Sequence, residues 1–177
     1  MSEQEIHEIC KKYNIKNYTI NPDGSIDVDG DVNLSYMNLT ELPLKFNRVG
    51  GSFYCSNNEL TSLKGSPNYV SENFYCYNNK LTSLKGSIEY VVGYFDCSCN
   101  KLTSLEGCPK EVGGNFYCSD NQLTNLEGSP KDVKDKFYCD NNPLESLKGY
   151  DLPYEQLICN DKLKLIRKTK LKILDIL

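Results

Sequence analysis

The sequence predicts a β-rich repeat solenoid, of mixed α+β character only at its two ends. Three observations predict it. Cys55, Cys76, Cys97, Cys118 and Cys139 follow one another at 21 residues and Cys159 comes 20 later, so these cysteines mark a repeat. Around each of them apolar and polar positions alternate, which is the period of a half-buried strand. The 177 residues contain no Ala, the best helix former, against nineteen Asn, a residue of turns.

Residues 1–31 are expected to form an N-terminal cap, because a solenoid exposes the apolar faces of its end coils. Ile6, Ile9, Cys10 and Tyr13 recur at helical spacing, with Glu3, Glu5 and Glu8 elsewhere on the turn. A short hairpin follows, with strands at residues 18–20 and 26–28 joined by Asn21-Pro22-Asp23-Gly24.

Residues 32–160 hold about seven coils. An aromatic stands two before each cysteine (Phe53, Phe74, Phe95, Phe116, Phe137), and an Asn three after it (Asn58, Asn79, Asn100, Asn121, Asn142). Two leucines, a Gly, often a Pro, and a Val complete the unit, as in Leu60, Leu63, Gly65, Pro67 and Val70. A degenerate first copy keeps Val32, Leu34, Leu39, Leu42 and Val49 but has Met37 in place of the Asn, and the last copy is reduced to Leu157 and Cys159. Phe and Cys should point inward, so that stacked coils make a parallel sheet with a strand spacing of about 4.8 Å. The Asn column suits a buried amide bonded to the backbone of a neighbouring turn, since an unpaired polar group there is costly. What is left of each unit, broken by Gly and Pro, is too short for a helix, and that side should be extended or 3₁₀.

Residues 161–177 are expected to cap the other end. Leu163, Leu165, Ile166, Leu171, Ile173, Leu174, Ile176 and Leu177 are interspersed with six basic residues. Against Asp161 and Asp175 this stretch carries +4, which leaves −8 on residues 1–160. A basic amphipathic helix reads first as an end cap, and second as a segment for a membrane surface or nucleic acid.

The string Phe-x-Cys-x-x-Asn-x-Leu-x-x-Leu resembles the leucine-rich repeat pattern Leu-x-Leu-x-x-Asn-x-Leu, over roughly 130 of the 177 residues. Its 21-residue step, with Pro in the returning limb, is similar to the short bacterial subclass of that family. The departures are an aromatic and a Cys at the two strand leucines. The composition, with Gly-Ser-Ile-Asp-Val at residues 24–28, resembles leucine-rich repeat proteins of large phages and AT-rich bacteria. The resemblance implies a right-handed leucine-rich repeat solenoid with its parallel sheet on the concave face. It also implies a protein-protein interaction module, in a phage an inhibitor or adaptor of a host factor.

Composition narrows the chemistry. The net charge of −4 and pI near 5.1 disfavour a nucleic-acid surface, and no apolar run is long enough to span a membrane. The N-terminus lacks the basic and apolar regions of a secretory signal, so a reducing cytoplasmic location is expected, where nine cysteines need no disulfide framework. His7 is the single histidine, which leaves no nucleophile–base pair. No cysteine pair has zinc spacing; Cys97-Ser98-Cys99 with Cys108 comes nearest, but Cys97 belongs to the inward column. No phosphate-binding glycine loop is present. No catalytic residue, metal or cofactor is expected, and the chain reads as a binding protein rather than an enzyme.

What remains is a surface. The outward position between Phe and Cys reads Asn33, Tyr54, Tyr75, Asp96, Tyr117, Tyr138, Ile158, and the flanking outward rows include Ser52, Ser56, Tyr77, Tyr94, Asp120 and Asp140. The candidate partner-binding residues are Tyr54, Tyr75, Tyr77, Tyr94, Asp96, Tyr117, Asp120, Tyr138 and Asp140, since tyrosine is enriched at interfaces. Aromatics on adjacent strands also stabilise each other by roughly 0.2–1 kcal/mol a pair, and duplication copies them without selection for binding. Asp96, Tyr77 and Tyr94 break the repeat, which duplication does not explain. Self-assembly into a homo-oligomer is the rival to a foreign protein partner, with the basic C-terminal segment as a third route.

Overall fold

The computed structural model describes residues 1–160 together with Leu165 and Ile166. The chain opens with α1 (Glu3–Lys12). Ser2 and Glu5 cap it reciprocally: Glu5 N–H donates to Ser2 Oγ at 3.3 Å, and Ser2 N–H to Glu5 Oε2 at 2.6 Å. Ile6 and Cys10 form the buried stripe, and the helix ends where Asn14 turns left-handed at φ 54°. Strands β1 (Tyr18–Ile20) and β2 (Ile26–Val28) then pair antiparallel across the expected turn.

Short strands of two kinds follow in alternation: β3 (Val32–Asn33), β4 (Phe46–Val49), β5 (Phe53–Tyr54), β6 (Tyr69–Val70), β7 (Phe74–Tyr75) and β8 (Tyr90–Val91). The series continues with β9 (Phe95–Asp96), β10 (Glu111–Val112), β11 (Phe116–Tyr117), β12 (Asp132–Val133), β13 (Phe137–Tyr138) and β14 (Leu157–Ile158). One seven-stranded sheet runs β3-β5-β7-β9-β11-β13-β14, and a second runs β1-β2-β4-β6-β8-β10-β12. Seven strands in the first sheet correspond to six full turns of chain. Every pairing except β1 with β2 is parallel, and in the first sheet Phe53, Phe74, Phe95, Phe116 and Phe137 face one another in unbroken register.

The returning limb is extended, and its strands also pair, so each coil contributes to two sheets. Val49, Val70, Val91, Val112 and Val133 turn inward from the second sheet and are buried. The N-terminal hairpin belongs to this sheet, because β2 pairs with β4 as Ile26 with Phe46 and Val28 with Val49. The C-terminal cap expected at 161–177, with its lysines, lies outside the described residues apart from Leu165 and Ile166, which are helical and pack on the core. No helix among the described residues is long and apolar enough to cross a membrane.

Aligned columns fill the interior. Phe53, Phe74, Phe95, Phe116 and Phe137 stack at centroid distances of 5.3, 5.2, 5.7 and 4.9 Å, and Phe46 and Tyr150 close the column edge-on. The adjoining cysteines are small enough to sit beneath the strand, and Cys55, Cys97 and Cys118 donate Sγ–H to the carbonyls of Tyr75, Tyr117 and Tyr138. A glycine at φ near 90° turns each coil: a Cβ on Gly107 would lie 2.7 Å from Lys85 N.

The asparagine column does what its burial requires. Asn100 Oδ1 accepts from Leu81 N–H at 3.0 Å, while Nδ2 donates to the carbonyls of Cys76, Cys97 and Ser98 at 3.1 Å. Asn58, Asn79, Asn121 and Asn142 repeat this, each reaching into the coil before it. The first coil therefore does without its own: Met37 occupies that place, and Asn58 serves Met37 N–H and Leu39 N–H.

Asn100→Ala strands Leu81 N–H in the core, leaves the Cys76 carbonyl with Asn79 Nδ2 alone, and is expected to destabilise by about 3 kcal/mol. Urea unfolding checks this; a loss below 1 kcal/mol would show that the column is dispensable.

Candidate protein-binding site

Tyr54, Tyr75, Asp96, Tyr117 and Tyr138 occupy equivalent places on β5, β7, β9, β11 and β13. Alternation along each strand turns them outward because Phe and Cys on either side are buried. Tyr54 stacks on Tyr75 with centroids 5.2 Å apart and planes 16° apart; Tyr117 stacks on Tyr138 at 4.7 Å and 10°. No ring contact joins Tyr75 to Tyr117 among the described residues. The row is thus two stacked pairs separated by a notch one ring wide, with Asp96 at its base and about 10 Å between the flanking strands.

Two tyrosines outside the row border the notch. Tyr77 meets Tyr75 edge-on at 6.4 Å, and Tyr94 meets Tyr117 edge-on at 6.4 Å. Tyr94 has room because of Gly114, where a Cβ would fall 2.3 Å from the Tyr94 ring. Asn115 Nδ2 donates to Tyr117 Oη at 2.8 Å, and Asn115 Oδ1 accepts from Lys136 N–H. Sequence reasoning did not single out Gly114 or Asn115. The signal was present, since Gly113-Gly114 stands where the next coil has Lys134-Asp135.

Asp96 is half-buried, and its Oδ1 accepts from Ser98 N–H at 2.9 Å. Asn33 makes the same bond to Ser35 N–H at 3.0 Å. An Asx side chain can thus close this turn whether neutral or charged, although the coils with Tyr54, Tyr75, Tyr117 and Tyr138 in the same place do without it. Burial among Tyr75, Tyr94 and Tyr117 pushes the Asp96 carboxyl above its ordinary range, against the Ser98 hydrogen bonds that pull it down. Desolvation raises the Tyr75 and Tyr117 phenols as well.

The two remaining acids differ in kind. Asp120 is exposed and belongs to a left-handed column, Asn57, Asn78, Cys99, Asp120 and Asn141, at φ 52–57°. Asn78 Nδ2 donates to Asn57 Oδ1 and Asn141 Nδ2 to Asp120 Oδ1, at 2.7 and 2.9 Å. Asp140 lies half-buried on the neighbouring row. Neither these two nor Asp96 forms an ion pair among the described residues. The loop rows behave oppositely: Glu59, Glu89, Glu106 and Glu127 meet Lys80, Lys110, Lys85 and Lys148 across adjacent coils at 2.8–3.2 Å.

The flanking rows are less open than alternation predicts. Ser52 and Ser56, expected to face outward, are buried. Ser52 is drawn in by hydrogen bonds to Glu72 and Asn73, and Ser56 is buried with its Oγ unpaired among the described residues.

No disulfide joins any of the nine cysteines. Cys10, Cys55, Cys76, Cys97, Cys118 and Cys139 are buried, and Cys159, expected in the same inward column, is half-buried at the last strand. Cys108 Sγ donates to Gly128 O at 3.0 Å, as Ser66 and Ser129 donate to Gly86 O and Gly149 O, so it takes over a serine's bond. Cys99 is exposed, and desolvation and the nearby Asp120 and Asp96 carboxylates raise its thiol. Among the described residues no group of three or more His, Cys, Asp or Glu could hold a metal ion.

No protein-family model matches the chain, and neither a curated protein nor a solved structure matches it.

Asp96→Asn keeps the Ser98 bond and removes the charge. A carboxyl whose folded pKa is raised opposes folding while ionised, and stops opposing it as pH falls through that pKa. The variant should therefore melt above wild type at neutral pH, with the difference closing on acidification; a difference that ignores pH would contradict the burial. A thiol reagent should modify Cys99 before Cys55, Cys76, Cys97 and Cys118, and faster as pH rises toward 9. Peptide mapping reads the order, and early modification of the inner four would count against the packing.

Proposed function

We propose that the chain is a leucine-rich repeat module that binds another protein through its tyrosine and aspartate face. The family reading is supported by the repeated Phe-x-Cys-x-x-Asn-x-Leu-x-x-Leu and by an Asn that bonds the preceding turn, and it carries a right-handed solenoid with this sheet concave. The binding reading is carried by the notch at Asp96. A tyrosine there would add two ring pairs, worth roughly 0.2–1 kcal/mol each to the ladder. The chain forgoes them, places Tyr77 and Tyr94 at the border, and has Gly114 where Tyr94 needs space. Tyrosine offers a large contact area with a polar tip at low conformational cost. Such a module works by occupying its partner, as an inhibitor or adaptor, with no chemistry of its own. Thiols kept out of disulfides suit a cytoplasmic setting.

Two variants test the reading in affinity capture from the source cell. Y75A/Y94A/D96A/Y117A strips the face, and Asp96→Tyr fills the notch while restoring the repeat, so it should melt above wild type. A protein recovered with wild type and lost with both is the expected result. Equal recovery by all three overturns the reading, and the folded Asp96→Tyr variant guards against loss through unfolding.

A further inference from the structure

We propose that the notch above Asp96 receives a guanidinium group, so that the partner docks by an exposed arginine. This rests on the protein-binding reading above and names the side chain that enters. Tyr75 and Tyr117 end their stacked pairs at the notch, with ring planes only 16° and 10° from those of Tyr54 and Tyr138. A planar group inserted at the repeat spacing lies about 5 Å from the strand positions on either side, the separation at which the row already stacks its own rings. A cation there is attracted to both ring faces.

Guanidinium fits this shape. It is flat, weakly hydrated, stacks on aromatic rings and donates in its own plane to a carboxylate. Asp96 supplies that carboxylate at the base, where its Oδ1 accepts from Ser98 N–H at 2.9 Å and the Ser98 side chain also supports it. A lysine ammonium is compact and strongly hydrated, and it leaves the two ring faces uncovered.

Charge on the same face agrees. Among the described residues Asp96, Asp120 and Asp140 form no ion pair, although four glutamates of the loop rows each meet a lysine. Lys136, the cation beside the row, donates Nζ–H to Glu155 O at 3.0 Å. Tyr77 and Tyr94 border the entry edge-on.

The test is an amide-resolved NMR titration of the full chain with Nα-acetyl-arginine N-methylamide, run beside the citrulline and lysine analogues. Arginine should give saturable shifts centred on Tyr75, Asp96 and Tyr117. Citrulline, its uncharged isostere, and Asp96→Asn with arginine should each bind about tenfold more weakly, and Asp96→Tyr should abolish the shifts. No saturable shift at the notch, or arginine matched by citrulline or lysine, overturns the proposal. If arginine fails while Asp96→Tyr still loses the captured protein, the docking reading stands and the guanidinium is wrong. If arginine binds and capture ignores Asp96→Tyr, the notch is a cation site and the docking reading falls.

Discussion

The carboxamide at the corner of each coil reaches backward and closes the boundary with the coil before it. Most strands here are only two residues long, so ladder bonds alone give a neighbouring coil little to hold. Asn79, Asn100, Asn121 and Asn142 add a fixed set of bonds where the chain leaves the strand, one accepted from a backbone N–H of the previous coil and one donated to its carbonyl. Because those partners lie 19 and 24 residues upstream, the amide also sets the repeat length. An extra residue in a coil would draw the amide away from one of them and leave buried backbone unpaired.

The other columns inherit that register. Phenylalanines meet face to face because the strands that carry them are held level, and a cysteine suffices beneath the strand because its thiol has a carbonyl of the next coil to bond. The outward tyrosines stack for the same reason. A regular ladder is consequently an unspecific product of a regular scaffold, and its regularity says little about binding. On the protein-binding reading proposed above, information about a partner would sit where the columns are broken, at Asp96, Tyr77, Tyr94 and the Gly113-Gly114 pair.

Much of this was legible in the sequence because a repeat multiplies its own signal. The 21-residue period exposes inward Phe and Cys, the buried Asn and the place of Met37 without any folding rule beyond alternation. The N-terminal helix and hairpin follow from local spacing and turn residues. Other features depended on contacts between coils that no single copy displays. The returning limb pairs into a second sheet because each Val lies level with the next, and a two-residue strand has no length in which to show a period of its own. Ser52 and Ser56 alternate as surface residues and are nevertheless buried. The left-handed column of Asn57, Asn78, Cys99, Asp120 and Asn141 was readable in hindsight, since Asn and Asp tolerate that conformation best and Cys99 is the exception among them.

Asp96 separates what the scaffold demands from what it does not. The scaffold accepts Tyr at this place in four coils, and where a side chain does close the turn, as Asp96 does onto Ser98 N–H, Asn33 shows that a neutral amide suffices. A carboxylate in the same place adds an anion among tyrosines, where burial disfavours its ionised form. A residue that is costlier than its neutral equivalent and forms no ion pair among the described residues is poorly explained by stability. The same holds for leaving out the tyrosine that would complete the row. Both choices make sense together if the charge and the open ring position serve one ligand, flat enough to complete the stack and positive enough to meet the carboxylate.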